Sequence, residues 1–258
     1  MKVGAIVMLK NMQKNLDISD IFCTFAVEIK QLNDMKRLLF ILLLVLSASA
    51  YARPPYGMRY LTEEEKASWQ HKKDSMVNLL VDATLSIVDD DVLYNPSYVK
   101  IPYPMGDVPA GTGVCSDVVI RAFRKGLGID LQKEIYEFRK WQRDNLGQDI
   151  VIDRNIDHRR VRNMIELFDR NLSSNDATHP DFDGFFGRDL TKCEKGDVIV
   201  FDLGSGVLHI AICISDTEMV HNICCGQTIA KIADYSYAKI IRNYRLKIPD
   251  YIPDTTSF

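Results

Sequence analysis

The hydrophobic pattern of the chain changes near residue 196, and this change constrains the fold more than any other feature. Before it, apolar residues recur at helical spacing; after it, short apolar runs alternate with turn residues. These runs predict strands at 197–201, 209–214, 218–222 and 239–246. Helices followed by a set of short antiparallel strands are typical of an α+β domain.

The region before this change is predicted to be mainly helical. A Thr-Glu-Glu-Glu run begins at residue 62 and is typical of a capped helix start, which predicts one amphipathic helix over 62–88. Residues 89–114 hold clusters of Asp, Pro and Gly and predict a loop. A further helix begins at Cys115, and the pattern of residues 129–178 is again mainly helical.

Residues 35–52 have the three parts of an export signal. The basic pair Lys36-Arg37 precedes the apolar run Leu38–Leu46, and small residues follow it up to Ala52. The alternative is a membrane-spanning helix, but the apolar run is shorter than the roughly 20 residues that such a helix needs. We therefore expect cleavage near Ala50 or Ala52.

Met35 is the natural first residue of this signal, so we interpret residues 1–34 as an upstream extension that comes from a misplaced start. The mature protein then begins near Arg53, and residues 53–258 are long enough for a single domain with its own core. We expect this domain in the periplasm or outside the cell, as a monomer without a membrane span.

Composition and cysteine usage exclude several classes of function. The net charge is −3, with neither a basic excess nor a long acidic tail, so no nucleic-acid partner is expected. Six cysteines occur and five follow the signal, an odd number that leaves at least one thiol unpaired. Cys213 is predicted to lie in the core, and the pair Cys224-Cys225 is predicted to be structural or a buried thiol pair rather than catalytic. The spacing is not that of a four-cysteine zinc site, and we expect no cofactor and no metal.

Cys115 is the candidate nucleophile. It stands just after the loop Gly111-Thr112-Gly113, in the first turn of a predicted helix. The positive end of a helix dipole lowers the pKa of a cysteine thiol, so we expect a thiolate at this position.

His209 and His221 are the candidate base and its orienting partner. They lie twelve positions apart on two predicted strands, with a turn near Asp216 between them. An antiparallel hairpin brings such positions close across the ladder, and one ring can then fix the tautomer of the other. A thiol, a base and an orienting group are the parts of a catalytic triad. The alternative is that each histidine is an ordinary half-buried strand residue.

Short blocks stand in a fixed order around these residues: Tyr103-Pro104-Met105-Gly106, Val114-Cys115-Ser116-Asp117, Gly196-Asp197-Val198-Ile199-Val200-Phe201 and His209-Ile210-Ala211-Ile212, with His221 on the next strand. Together, over roughly residues 100–245, they resemble the NlpC-type branch of the papain-like cysteine peptidases, which cut peptide stems of bacterial cell walls. The resemblance implies an α+β, papain-like core in which N-terminal helices, with the nucleophile at a helix start, pack on an antiparallel sheet.

The whole pattern is most similar to a secreted bacterial family known as domain of unknown function 1287. Three blocks carry this similarity: Gly106-Asp107-Val108-Pro109, Asn155-Ile156-Asp157-His158-Arg159-Arg160 and Val220-His221-Asn222-Ile223. The chain departs from the NlpC pattern in having Val114 before the nucleophile, Asp117 in place of a glycine, and a long spacer between Cys115 and His209.

The NlpC resemblance implies a mechanism. Cys115 attacks a carbonyl carbon, His209 takes and returns the proton, and His221 orients His209. The backbone N–H of Cys115 is the expected oxyanion donor, together with the hydroxyl of Tyr103 unless that side chain serves only packing.

Five more residues are candidates for contacts with substrate: Asp107, Ser116, His158, Arg159 and Arg160. Asp107 is expected either to close a loop over the site or to bind a substrate amine. The basic block, with Arg162, is expected either to bind a substrate carboxylate or to form a solvated helix face.

The expected function is a secreted cysteine amidase or peptidase that hydrolyses amide bonds of cell-wall peptides through a thioester. Three alternatives stay open. The same thioester would serve an acyltransferase, the fold would serve a non-catalytic wall-binding module, and Cys115, His209, His221 and Cys224 would serve a metal-binding or redox protein.

Overall fold

The computed structural model describes residues 58–173, 186–188, 192–246 and 251–253. The predicted extension and export signal lie outside the described residues. The chain divides into two units, residues 60–252 and residues 1–59 with 253–258. Nearly all of the described residues belong to the first unit, which carries every candidate site residue.

Strand β1 (Met58–Tyr60) is followed by a long capped helix, α1 (Glu63–Leu85). The Thr62 hydroxyl accepts the Glu65 N–H at 3.2 Å, and the Glu65 carboxylate accepts the Thr62 N–H at 2.8 Å. This reciprocal cap satisfies two amides that would otherwise lack partners at the helix start. The helix predicted over 62–88 is therefore confirmed, although it ends earlier, at Leu85.

The predicted loop over 89–114 is wrong in part, because it contains strands β2 (Asp89–Tyr94) and β3 (Thr112–Gly113). Three exposed aspartates begin β2, and of its six residues only Val92 is buried. Such a sequence lacks the apolar alternation of a strand. The strand forms because it pairs antiparallel with residues 225–231 and parallel with β3.

Three further helices follow: α2 (Cys115–Ala122), α3 (Leu131–Leu146) and α4 (Val161–Ser173). A π-helical segment over Phe123–Leu127 extends α2, and a 3₁₀ segment over Asp157–Arg159 precedes α4. Gly126 allows this extension to approach α1, because a Cβ there would lie 2.6 Å from the Leu79 carbonyl oxygen.

The remaining elements are mainly strands: β4 (Phe186–Arg188), β5 (Val198–Asp202), β6 (Leu208–Cys213), β7 (Glu218–His221), β8 (Cys225–Lys231), a 3₁₀ segment over Ile232–Tyr235, β9 (Lys239–Leu246) and β10 (Tyr251–Pro253). The strands predicted from the sequence over 197–246 are confirmed as β5, β6, β7 and β9. Strand β8 was not predicted.

Eight strands form one curled sheet in the order β3-β2-β8-β7-β6-β5-β9-β4. Every neighbouring pair is antiparallel except β2 and β3. The molecule is therefore a mixed α+β protein, as predicted. The β6–β7 ladder is short, since its register pairs are Ile212 with Val220 and Cys213 with Met219.

Two apolar clusters cover the two faces of this sheet. On the helix face, Ile210 and Ile212 of β6 pack in one cluster with Cys115, Phe123 and Phe168. The alternate residues of the same strands form the second cluster, in which Phe201, Ala211 and Cys213 pack with the partly buried Tyr235. The alternation of strand side chains thus assigns each residue of β6 to one face.

No helix in the described part of the chain combines the length and the apolar character needed to cross a bilayer.

Candidate functional site

Cys115 is held at the start of α2 by backbone pairing and a side-chain cap. The preceding strand β3 pairs with β2 through Leu93 with Thr112 and Tyr94 with Gly113. The Asp117 carboxylate then accepts the Val114 N–H at 2.6 Å. Asp117, which departs from the NlpC pattern, therefore fixes the turn that presents the cysteine.

The Cys115 thiol is buried and neutral, contrary to the expected thiolate. Cys115 is 6% exposed, and burial raises the pKa of its thiol to about 11. Hydrogen bonds from the backbone N–H groups of Ile210, Ser116 and Cys115 itself favour the thiolate, but they offset only part of the burial cost. The helix dipole is therefore outweighed by the loss of water around the sulfur.

His209 and His221 lie side by side, as the hairpin argument predicts. His209 Nε2 is 3.0 Å from His221 Nδ1, and His221 Nε2 is 3.2 Å from the Tyr235 hydroxyl. Both histidines are 2% exposed. Burial, with the neighbouring His221 as a smaller cause, lowers the pKa of His209 to about 3, and burial lowers the pKa of His221 to about 4. Both rings are therefore neutral near pH 7.

The tautomers of this chain decide which nitrogen can act as a base. If His209 Nε2–H donates to His221 Nδ1, and His221 Nε2–H donates to the Tyr235 oxygen, then Nδ1 of His209 carries a free lone pair. His209, His221 and Tyr235 thus form one hydrogen-bonded chain.

Cys115 contacts β6 at the residue next to His209. The sulfur accepts the N–H of Ile210, the residue that directly follows His209. Strands β6 and β7 are paired only at Ile212 and Cys213. The Ile210 N–H therefore lies in the part of β6 that is not paired with β7. Cys115 packs with the helix-side cluster, whereas the His209 ring lies near Phe201 and Tyr235. The two side chains therefore reach the same point of β6 from different sides.

A cavity of about 530 Å³ opens beside Cys115. Leu208, next to His209, lines it together with Tyr94 and three arginines, Arg159, Arg160 and Arg162. Among the described residues that line it there is no carboxylate.

Tyr94, and not Tyr103, is the tyrosine of this cavity. Burial and the nearby Cys115 and Asp117 raise the pKa of the Tyr94 phenol. Tyr103 packs instead on Tyr136, with ring centroids 5.0 Å apart, and is absent from the described residues that line the cavity. The expected role of Tyr103 as an oxyanion donor is therefore corrected. Tyr94 was missed because it ends β2, a strand that the sequence did not signal.

Asp107 also lies elsewhere. Both of its carboxylate oxygens accept hydrogen bonds from Arg121, at 2.9 and 3.0 Å. The pair lines a second cavity, of about 510 Å³, together with Ile87 and Gln227. Since Cys115 is not among the residues that line this cavity, Asp107 is not placed to close a loop over Cys115.

Arg159 and Ser116 support the helix start through hydrogen bonds. Arg159 donates to both oxygens of Asp117, at 2.9 and 3.0 Å, and to the carbonyl oxygens of Asn95 and Ser97. The Ser116 hydroxyl donates to the Arg159 carbonyl oxygen at 2.7 Å. The expected solvated face is wrong for Arg159, which is 7% exposed, and its guanidinium is engaged by Asp117 and two backbone carbonyl groups although the residue lines the cavity.

The rest of the basic block divides into one buried and two exposed side chains. His158 is 2% exposed, burial lowers its pKa to about 4, and its Nδ1 has no hydrogen-bond partner within the described structure. Arg160 and Arg162 are exposed at the cavity. They are the cations that can meet a ligand there.

Asn222 belongs to the block Val220-His221-Asn222-Ile223 noted in the sequence, but it was given no role there. It directly follows His221 and is fully buried, yet neither its Oδ1 nor its Nδ2 finds a partner among the described residues. Burial of an unsatisfied amide costs free energy, so this position is anomalous for a purely structural residue. A sequence gives no signal for an unpaired group.

Within the described residues, no group of three or more His, Cys, Asp or Glu side chains is arranged to hold a metal ion. The predicted core position of Cys213 is confirmed. The side chain of Cys225 lies outside the described structure.

Fold and site together define a mixed α+β protein with a buried cysteine at a helix start and a histidine pair on the adjoining sheet. Residues 81–246 match the model of the family described as "Domain of unknown function (DUF1287)", and the chain belongs to that family. The chain is also 34% identical over 163 residues to the "Uncharacterized protein YijF" of Escherichia coli (strain K12). That match covers 57% of this chain and 71% of the relative. The predicted similarity to this family is confirmed.

Proposed function

We propose that this protein is a cysteine hydrolase with a papain-like, NlpC-type core, which cuts amide bonds in cell-wall peptides. One observation carries the proposal. The His209–His221 pair, 3.0 Å apart, adjoins a buried thiol that accepts the N–H of the residue after His209. A nucleophile, a base and an orienting group on adjoining elements are the parts of a triad.

The neutral resting state sets the order of the proposed steps. With the pKa of Cys115 at about 11 and that of His209 at about 3, a thiolate–imidazolium pair is scarcely populated before substrate binds. His209 Nδ1 then takes the thiol proton as the sulfur attacks the carbonyl carbon, a step that requires the thiol and the imidazole to come together when substrate binds, because in this structure the ring packs near Phe201 and Tyr235. The amine leaves with that proton, a thioester remains on Cys115, and water activated by His209 then releases the acid.

The developing oxyanion needs donors that are already in place. The backbone N–H groups at the start of α2, those of Cys115 and Ser116, surround the sulfur and are the first candidates. The Tyr94 hydroxyl replaces Tyr103 in the proposed set, because Tyr94 shares the cavity with Cys115. One such donor typically lowers the transition-state free energy by about 2.7–4 kcal/mol.

The charge of the cavity supports an anionic substrate. Arg160 and Arg162 are exposed there, and the charge of Arg159 is neutralised by Asp117. Since arginine binds carboxylates in a bidentate manner, the free carboxylates of cell-wall peptides suit this cavity. The exposed arginines also favour access of water to the thioester, which supports hydrolysis over acyl transfer.

We also propose that the protein is exported and acts as a monomer. The basis for export is the signal pattern of residues 35–52. N-terminal sequencing of the mature protein is expected to show a first residue near Arg53. A mature terminus before Met35 would contradict the proposed export signal.

The hydrolase proposal is tested with purified peptidoglycan and mass analysis of the released fragments. The wild-type chain is expected to release peptides, and Cys115→Ala and His209→Ala to release none while keeping the wild-type circular dichroism spectrum. His221→Ala should retain a reduced rate, because His221 orients the base and transfers no proton to the substrate.

Cys224→Ala is the matched control, because it removes an exposed cysteine. It is expected to keep full activity. Full wall-degrading activity of Cys115→Ala would overturn the proposal.

A further inference from the structure

A second pair of cysteines meets away from the Cys115 site. Cys193 lies in the segment before β5, Cys213 ends β6, and their thiols hydrogen-bond to each other. Cys193 packs against the apolar cluster that contains Cys213 and Met219. The contact is therefore made by packing as well as by the hydrogen bond.

Backbone hydrogen bonds join the segment that follows Cys193 to Cys213 itself. The Gly196 N–H donates to the Cys213 carbonyl oxygen at 2.8 Å, and the Cys213 N–H donates to the Asp197 carbonyl oxygen at 2.8 Å. These two bonds fix the segment that carries Cys193 against the end of β6.

Asp197 makes that segment rigid. Its buried carboxylate accepts the Glu194 N–H at 2.8 Å, the Asn243 amide at 3.0 Å and the Arg245 guanidinium at 2.8 and 2.9 Å. The backbone between the two cysteines is thus fixed by hydrogen bonds while their thiols are in contact.

We propose that Cys193 and Cys213 form a disulfide when the folded chain meets an oxidising thiol–disulfide donor. The bond forms between the two Sγ atoms as both S–H bonds break. The two electrons reduce the disulfide of the donor to two thiols, which take up the two protons. Cys115 takes no part in this reaction. A failure of the disulfide proposal would therefore leave the hydrolase proposal intact, and the reverse also holds.

The order of attack follows from exposure. Cys193 is partly exposed, whereas Cys213 is fully buried. The hydrogen bond to Cys193, together with burial, raises the pKa of Cys213. Cys193 is therefore the thiol that the donor can reach, so it attacks the donor first, and Cys213 then displaces the donor from the mixed disulfide.

The bond would close a loop that contains β5 and β6, and with them His209. A disulfide restricts the unfolded chain and so favours the folded state. The oxidised protein is expected to melt several degrees above the reduced one.

The test uses the purified full-length chain with oxidised or reduced glutathione. Remaining thiols are alkylated after denaturation, and peptides are mapped by mass spectrometry without reduction. We expect a linked pair of peptides carrying Cys193 and Cys213 after oxidation, and alkylated Cys115 in both states. Cys224→Ser should leave the link intact.

Cys193→Ser, a substitution at a partly exposed position, should abolish both the link and the rise in melting temperature on oxidation. The proposal is overturned if Cys193 and Cys213 are both alkylated after oxidation. It is equally overturned if Cys193 is found joined to another cysteine or still to glutathione.

Discussion

Two buried polar clusters adjoin Cys115, and they handle charge differently. In the first, Asp117 and Arg159 form an ion pair with side chains that are 3% exposed, and backbone carbonyl groups accept further guanidinium N–H groups. In the second, His209, His221 and Tyr235 form a neutral chain without a carboxylate partner among the described residues. In the first cluster the charges are paired and hydrogen-bonded. In the second, Nδ1 of His209 stays available to accept a proton.

The difference shows why conspicuous charge in a sequence does not identify the chemistry of a site. Arg159 stands in a basic block of the chain, yet its charge supports the turn that holds Cys115. The histidine pair carries no charge near pH 7, and it is the cluster suited to moving protons.

Breaking the first cluster should have the largest effect on stability. Arg159→Met leaves the Asp117 carboxylate buried without its partner, and we expect a loss of about 3–5 kcal/mol in the free energy of unfolding. Urea denaturation of the wild-type and variant chains measures this loss. The matched control is Arg160→Met, whose exposed side chain should cost less than about 0.5 kcal/mol. Equal losses in the two variants would show that the Asp117–Arg159 pair is not a structural support.

Three buried histidines, two of them in the neutral cluster, should make the fold sensitive to acid. His158, His209 and His221 have pKa values of about 4, 3 and 4 in the folded chain, below the value of about 6.5 in an unfolded chain. The unfolded state therefore binds more protons below pH 6.5. Stability is fully present above that pH and falls as the pH drops toward 4, by about 1.4 kcal/mol per pH unit for each histidine.

Urea midpoints between pH 7.5 and 4.5 measure this slope. His158→Gln should flatten it by the share of one histidine, whereas His71→Gln, a change at an exposed position, should leave it unchanged. A slope that His158→Gln does not alter would mean that His158 is not held neutral by burial.

The smallest expected effect comes from the exposed arginines of the cavity. Arg160→Ala and Arg162→Ala should each raise KM for soluble cell-wall peptides several-fold with little change in kcat, because they supply binding to a group remote from the reaction. Lys140→Ala, an exposed cation on α3, is the control. Unchanged KM in both arginine variants would assign them to the solvated surface.

The elements that were predicted correctly are those whose signal is local. The capped start of α1, the apolar strands β5 and β6, and the twelve-residue spacing of the histidine pair need no knowledge of distant partners. The hairpin between β6 and β7 follows from the turn between them, so the 3.0 Å approach of His209 and His221 was predictable.

What the sequence could not give depends on contacts between distant segments. Strand β2 exists because β8 pairs with it, and Tyr94 reaches the cavity only through that pairing. Arg159 meets Asp117 across 42 positions of the chain. The pKa of Cys115 depends on burial, which a helix-dipole argument does not include. Each of these is a tertiary effect that overrides a local rule.

The most direct test of the account is to trap the acyl-enzyme. The full chain is mixed with soluble cell-wall peptides, quenched rapidly in acid, and digested for peptide mapping by mass spectrometry. The account predicts a thioester on Cys115 in the wild-type protein, and no adduct in Cys115→Ala or His209→Ala. Peptide release by the wild-type protein without any adduct at Cys115, or with an adduct on a different residue, would contradict it.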